Sequence, residues 1–232
     1  MGKRRLLPLR FESCDLGDYI AETESQRTAL AAANRLVRCL TDHREPHESV
    51  MTSLVLAGPT GVGKTHLAAG VVNAIRVVQN AEYEAAKAAT AVGDGRWPRF
   101  PTPPEWINVA DAIVSIRLEY ALPARDRETT QRVVGLRDHD GLLVLDDLGR
   151  EKASDWTGEL VYALVNARYE ARLPTLVTTN LTSADLAASP YWPVISRLAE
   201  DGQLVRVDAP DRRLRKASPP TPRSAATRPD GS

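Results

Sequence analysis

The sequence has little cysteine, no long apolar run and no net charge. Two cysteines, Cys14 and Cys39, stand among 232 residues. They have neither CxxC spacing nor a cluster of ligand-type residues around them, which argues against a disulfide framework or a structural zinc site and suits a reducing cytosol. No apolar stretch approaches the ~18–20 residues of a membrane-spanning helix; a short run such as Leu142 to Leu145 is typical. The opening MGKRRLLPLRFES begins like a signal peptide, but Pro8, Arg10 and Glu12 break it before an apolar core can form. There is no internal repeat. With 43% hydrophobic and 26% charged residues, the composition is that of a globular cytoplasmic protein with no membrane contact. At ~150 residues per domain the length corresponds to one domain with tails or a small lid.

Lysine plus arginine balances aspartate plus glutamate, 30 against 30, but unevenly along the chain. Lys3, Arg4, Arg5 and Arg10 give the first ten residues +4, residues 212–232 carry +5, and the remainder therefore carries −9. Basic ends on an acidic body fit either contact with a polyanion or acidic surface, or ordinary solvated tails.

Periodicity predicts a helix from Ile20 to Leu40, a loop over His43–Ser49, and an apolar strand from Thr52 to Ala57. An alanine-rich helix starts near Lys64. Asn80 to Pro104 reads as an extended helix end followed by an irregular loop. Further strands are expected at Glu105–Ala110, Gly141–Asp146, Pro174–Thr179 and Gln203–Asp208. Helices are expected from Asp111, as its own cap, to about Tyr120, and from Asp155 to Arg172. Residues 217–232 have the composition of a disordered tail. Strands alternating with helices predict an α/β fold with a parallel sheet covered on both faces.

Between the first strand and the alanine-rich helix lies Gly58-Pro59-Thr60-Gly61-Val62-Gly63-Lys64-Thr65, a full match to G-x-x-x-x-G-K-[ST] in the strand–turn–helix context that a phosphate loop needs. Glycines 58, 61 and 63 permit positive φ, wrapped amides make an anion nest, and the helix start adds its positive end. Lys64 is then the β- and γ-phosphate ligand and Thr65 a Mg²⁺ ligand; the nucleotide-binding stretch is taken as Gly58 through His66. A second signal, Asp146-Asp147, ends a strand apolar enough to be buried on both faces, where the ligand crevice of an open parallel sheet lies. Asp146 is the candidate Mg²⁺ holder and Asp147 the candidate base toward the attacking water, with Glu151 able to assist. Asn180, at the tip of the fourth strand, can reach both a γ-phosphate and that water.

Taken together, GPTGVGKTHLA, LLVLDDLGRE, the block RYEARLPTLVTTN (Arg168 to Asn180) and ISRLAEDG resemble the AAA+ ATPases of the DnaC/DnaI helicase-loader and IstB transposition-helper kind. The resemblance covers about Leu54 to Arg213, apart from Asn80–Pro104. It implies a three-layer P-loop NTPase fold of AAA+ type with a short C-terminal lid segment, in which the Asn180 strand lies between the phosphate-loop strand and the Asp146 strand. It implies that Asn180 is sensor 1, that Arg197 is an arginine finger acting on ATP in a neighbouring subunit of an ATP-dependent homo-oligomer, and that Arg213 is the sensor 2 arginine, with Arg212 able to take that role. The expected organisation is a basic, helical partner-binding region over 1–45, an AAA+ ATPase domain over 46–216 and a tail over 217–232. The implied function is an ATP- and Mg²⁺-dependent replication protein that loads or remodels a replicative helicase on single-stranded DNA. An IstB-like helper on duplex DNA and a nucleotide-dependent adaptor with negligible hydrolysis remain open beside it.

Overall fold

The apolar runs form the strands of a single sheet. The computed structural model describes residues 6–42, 51–90, 102–151 and 154–213. Among these, β1 (Ser53–Ala57), β2 (Glu105–Asn108), β3 (Leu143–Leu148), β4 (Thr175–Thr179) and β5 (Gly202–Arg206) pair in parallel in the order β2-β3-β4-β1-β5. The Asn180 strand, β4, lies between the phosphate-loop strand and the Asp146 strand, as expected. The helices are α1 (Glu24–Thr41), α2 (Lys64–Thr90), α3 (Val109–Glu119), α4 (Glu128–Gly135), α5 (Asp155–Glu170), α6 (Ser183–Ala187) and α7 (Trp192–Glu200).

Successive strand side chains point to opposite faces, and the core divides accordingly. Leu54, Leu56, Val144 and Leu176 pack with α1 and α2. Val55, Leu143, Leu145 and Val177 pack with α3, α4, α5, α6 and α7. The result is three layers, with both faces of the sheet covered. Residues 6–42, read from sequence as a partner-binding region, share this core: Leu7, Leu16, Tyr19 and Leu36 are buried in the α2 cluster. Lys3, Arg4 and Arg5, the 43–49 loop, most of the loop before Pro104, and the 217–232 tail lie outside the described residues.

Boundaries move where side chains cap the backbone. α1 begins at Glu24, not Ile20, because Thr23 and Gln26 form a reciprocal capping box. Asp111 does not cap α3; Asn108 does, its Oδ1 accepting from Asp111 N at 3.1 Å, so β2 ends there and Val109 is already helical. α4 was not expected. It has no local side-chain cap; its first amides are held by Glu119 at the end of α3, which accepts from Thr129 N at 2.6 Å and Thr130 N at 2.9 Å. Burial alone would raise the Glu119 carboxyl, but the bonds from Thr129 and Thr130 hold it down to about 2.

The first residue of the RYEARLPTLVTTN block ties three elements together. Arg168 is completely buried, and each N–H of its guanidinium finds an oxygen. Nε donates to Thr175 Oγ1 (3.1 Å), Nη1 to Leu136 O and His139 O (both 2.7 Å), and Nη2 to Gly141 O (3.0 Å) and Pro174 O (2.8 Å). It joins the end of α5 to the lead-ins of β3 and β4, setting where both strands begin. Burial lowers its pKa to about 10, so it stays charged at neutral pH. Lysine cannot reproduce this planar fork. Arg168→Lys is expected to lower unfolding free energy by about 3 kcal/mol or more, read by urea denaturation.

Candidate nucleotide site at the sheet rim

β1, β3 and β4 all end at the same rim, because Ala57 pairs with Thr179 and β3 runs alongside β4. There the phosphate loop follows β1, the acidic pair Asp146-Asp147 lies near the C-terminal end of β3, and Asn180 follows β4. Gly58, Gly61 and Gly63 take φ of +152°, +85° and +104°, in the region that disfavours side chains. Gly63 has a second constraint: a Cβ there would stand 2.8 Å from the Tyr19 ring, which closes over the loop. Tyr19 Oη and Gln26 Nε2 both donate to Val62 O, at 3.2 and 3.1 Å, so the segment before and at the start of α1 braces the loop from behind.

Lys64 is only 5% exposed. Its ammonium donates to Gly58 O (2.7 Å), Pro59 O (2.8 Å) and Asn180 Oδ1 (2.8 Å). Burial lowers its pKa to about 8, against the opposing pull of Asp147 and Asp146. Asp146 Oδ1 accepts from Thr178 Oγ1 at 2.7 Å and from Thr65 Oγ1 at 3.1 Å. Burial pushes its carboxyl up to about 6, with Asp147 adding to the shift and Thr178, Thr65 and Lys64 opposing it.

Asp147 points elsewhere because the backbone turns there. It is a non-glycine residue at φ +59°, and the β3–β4 register shifts between Leu145 and Leu148. Such irregularities re-aim side chains beside functional sites. Its N–H donates to Thr178 Oγ1 (3.0 Å), and its carboxylate accepts from Asn180 Nδ2 and Arg150 Nη1, both at 3.3 Å. Thr178 therefore anchors both acids. Sequence reasoning passed over it, although it sits two residues before Asn180.

Lys64, Thr65, Asp147 and Asn180 line an open cleft of ≈ 800 Å³ together with Thr60, His66, Arg212, Arg213 and, from the N-terminal segment, Arg10, Asp18 and Ile20. That volume is within the range of small-molecule sites. Arg10, expected on a free basic tip, instead lies over the Phe11 ring, 4.7 Å from its centroid. His66 Nδ1 is 3.6 Å from Cys14 Sγ, and its ring is tilted against Tyr19. Arg212 donates to Ile20 O and lies over Tyr19, whereas Arg213 is close enough to help depress the Lys64 pKa. Arg197 is not in the cleft: on α7 it stacks over Tyr162, its Nη1 donating to Pro193 O at 3.0 Å, in a separate depression with Tyr169 and Glu200. Glu151 is also turned away, its Oε1 accepting from the Tyr191 hydroxyl and from Gly149 N.

The donor set suits a metal–triphosphate. Thr65 and Asp146 bring a hydroxyl and a carboxylate together, and Asp146 is buried without a cation in contact among the described residues. The glycine nest and Lys64 are the complement of phosphate oxygens. A five-stranded parallel sheet in this order, with a phosphate loop after β1 and acids at the C-terminal end of β3, is the P-loop NTPase fold of AAA+ type.

No family model and no curated protein matches the sequence. Among solved structures, the DnaC helicase loader is 26% identical over 87% of this chain and 100% of that chain, with a TM-score of 0.64. DnaI is 19% identical over 89% and 94%, TM-score 0.61. The replication initiator DnaA bound to AMPPCP and single-stranded DNA is 17% identical over 88% and 52%, TM-score 0.59. By structure the chain is similar to the DnaC helicase loader and DnaI over nearly their whole length and shares their fold. No helix among the described residues is long and apolar enough to cross a membrane.

The raised Asp146 pKa has a consequence for stability. A carboxyl titrating at about 6 when folded, against 3.8 as the ordinary value, binds more protons folded than unfolded between those limits. Its contribution to stability is present below 3.8 and is lost as pH rises through about 6. Asp146→Asn is expected to stabilise the ligand-free protein at neutral pH by on the order of 2 kcal/mol and to flatten its stability between pH 4 and 6, measured by thermal melts across pH.

Proposed function

We propose that the chain binds and hydrolyses ATP with Mg²⁺, and acts in the cytoplasm as a replication protein that loads or remodels a replicative helicase on single-stranded DNA. The observation that carries this reading is that Lys64, Thr65, Asp147 and Asn180 line one cleft, with the buried Asp146 bonded to Thr65 at its edge. Gly58 through His66 cradle the phosphates and Lys64 binds their charge. Thr65 and Asp146 would hold Mg²⁺, which would supply neutralisation of the phosphate charge. Asp147 accepts the proton of the attacking water, and Asn180, in contact with both Lys64 and Asp147, orients that water. Arg213 adds positive charge from the cleft wall. Arg197, half-buried over Tyr162 and remote from its own cleft, fits a finger offered to a neighbouring copy in an ATP-dependent homo-oligomer. Helicase partnership is supported by the similarity to the DnaC helicase loader.

Lys64→Ala is expected to weaken ATP binding at least about 100-fold, whereas Asp147→Asn retains binding and loses about 10²–10⁴-fold in turnover. Fluorescent-nucleotide titration and phosphate release distinguish the two. A variant pair in which Asp147→Asn turns over normally favours a different base, and equal turnover by Lys64→Ala contradicts the site.

For single-stranded DNA, the supporting surface is at the end of α3. Tyr120 is 55% exposed. Trp156 Nε1 donates to its hydroxyl at 3.0 Å, and the two rings meet edge-on at 6.0 Å. Arg117 lies over Trp156 and Arg127 over Tyr120, at 5.3 and 6.0 Å. Aromatic rings flanked by arginines stack bases and attract phosphates. Tyr120→Ala is expected to weaken single-strand binding about 10-fold while leaving duplex binding unaltered, measured by fluorescence anisotropy.

A further inference from the structure

Just past the acidic pair, two neighbouring side chains face opposite parts of the molecule. Arg150 N donates to Asp147 O at 3.2 Å, closing a tight turn. Gly149 takes φ +84° in that turn, where a Cβ would stand 2.7 Å from Leu181 Cδ1, in the residue following Asn180. From the turn Arg150, its side chain 68% exposed, reaches back to Asp147 Oδ2 and lines the nucleotide cleft. Glu151 goes the other way. Its Oε1 takes the Tyr191 hydroxyl bond and the Gly149 N–H, the latter at 3.2 Å, while its Oε2 is buried with no hydrogen-bond partner among the described residues. Tyr191 is completely buried, with its hydroxyl 3.2 Å from Thr157 Oγ1. Its carbonyl accepts from Val194 N and Ile195 N, both at 3.0 Å, so it is built into the first turn of α7. At ~1.5 Å per residue, Arg197 lies about 9 Å along the same helix.

We propose that Glu151 and Tyr191 are positioning residues that tie the Asp147–Glu151 turn to the helix carrying Arg197, so that occupation of the cleft in one copy of the chain sets the aim of the arginine it offers to its neighbour. The proposal rests on the ATP-binding reading above. A triphosphate in the cleft competes with Asp147 for the Arg150 guanidinium, because phosphate oxygens are strong bidentate acceptors for arginine. When Arg150 shifts, the turn pivots at Gly149 and carries Glu151 with it. The buried unpaired oxygen of Glu151 is costly where it stands, which narrows the gap to any arrangement that pairs it. Tyr191, wedged between Glu151 and Thr157, transmits the displacement to the base of α7. Packed elements of this kind move between discrete positions rather than deforming continuously.

Hydrogen exchange on the full chain, with and without AMPPCP and Mg²⁺, tests the coupling. In the unaltered chain the analogue is expected to change exchange of the 191–200 amides about five-fold or more, the lower end of coupling between linked sites. Tyr191→Phe and Glu151→Ala are expected to bind the analogue with unchanged Kd yet show less than about two-fold change there. Glu151→Gln, whose amide oxygen accepts the same bond, retains the effect. Exchange raised equally with and without analogue in the variants, its nucleotide-dependent change intact, marks a merely structural contact and overturns the proposal; so does an unaltered chain that binds the analogue with no change at 191–200. An unaltered chain that fails to bind the analogue overturns the ATP-binding reading itself, and the coupling with it.

Discussion

One lysine ammonium and two adjacent carboxylates are held together at the rim of the sheet, and the surrounding structure is arranged around the difficulty of keeping them there. Burial disfavours each charge alone: it lowers Lys64 to about 8 and raises Asp146 to about 6. What offsets this is the set of neutral partners, namely the Gly58 and Pro59 carbonyls, Asn180, Thr178 and Thr65. A site of this kind is primed for a ligand that brings both anionic oxygens and a divalent cation, because each relieves one of the buried charges.

The constellation needs its strands to end in register, and that is where distant parts of the chain contribute. Arg168, on the opposite side of β3 and β4 from the cleft, fixes where those strands start. The register shift after Leu145 then separates the two acids, turning Asp146 toward Thr65 and Asp147 toward Asn180 and Arg150. Tyr19 and Gln26 brace the phosphate loop through Val62 O. The segment after β5 crosses from the other side: Val207 N donates to Ala57 O at 2.7 Å and Arg212 N to Gly61 O at 3.3 Å. The N-terminal helix is therefore part of the phosphate-loop scaffold rather than an appendage beside it.

The strands, the phosphate loop and the acidic pair were legible because their signals are local. Apolar runs bounded by turns mark buried strands, and an eight-residue motif states its own geometry. What escaped depends on side-chain contacts that hydrophobic periodicity does not register, most of them between residues distant in sequence. α4 has no cap of its own and is started by Glu119, ten residues away from Thr129. α1 starts late because of a reciprocal bond between Thr23 and Gln26 that periodicity does not register. Glu151, four residues beyond Asp147, had seemed placed to assist it, but Tyr191, 40 residues further along the chain, holds it on the other side. Arg212 and Arg213 both line the cleft; the first also donates to Ile20 O and lies over Tyr19, and the second lies near Lys64, contacts that neighbouring positions in a sequence do not separate.

Titration of a fluorescent ATP analogue into the purified chain, with and without Mg²⁺, bears on the central claim most directly. The account predicts saturable binding of one nucleotide per chain, in the ~1 μM to 1 mM range usual for enzyme–substrate pairs, tightened by Mg²⁺ and displaced by unlabelled ATP. An absence of saturable binding at millimolar nucleotide and Mg²⁺ would contradict it.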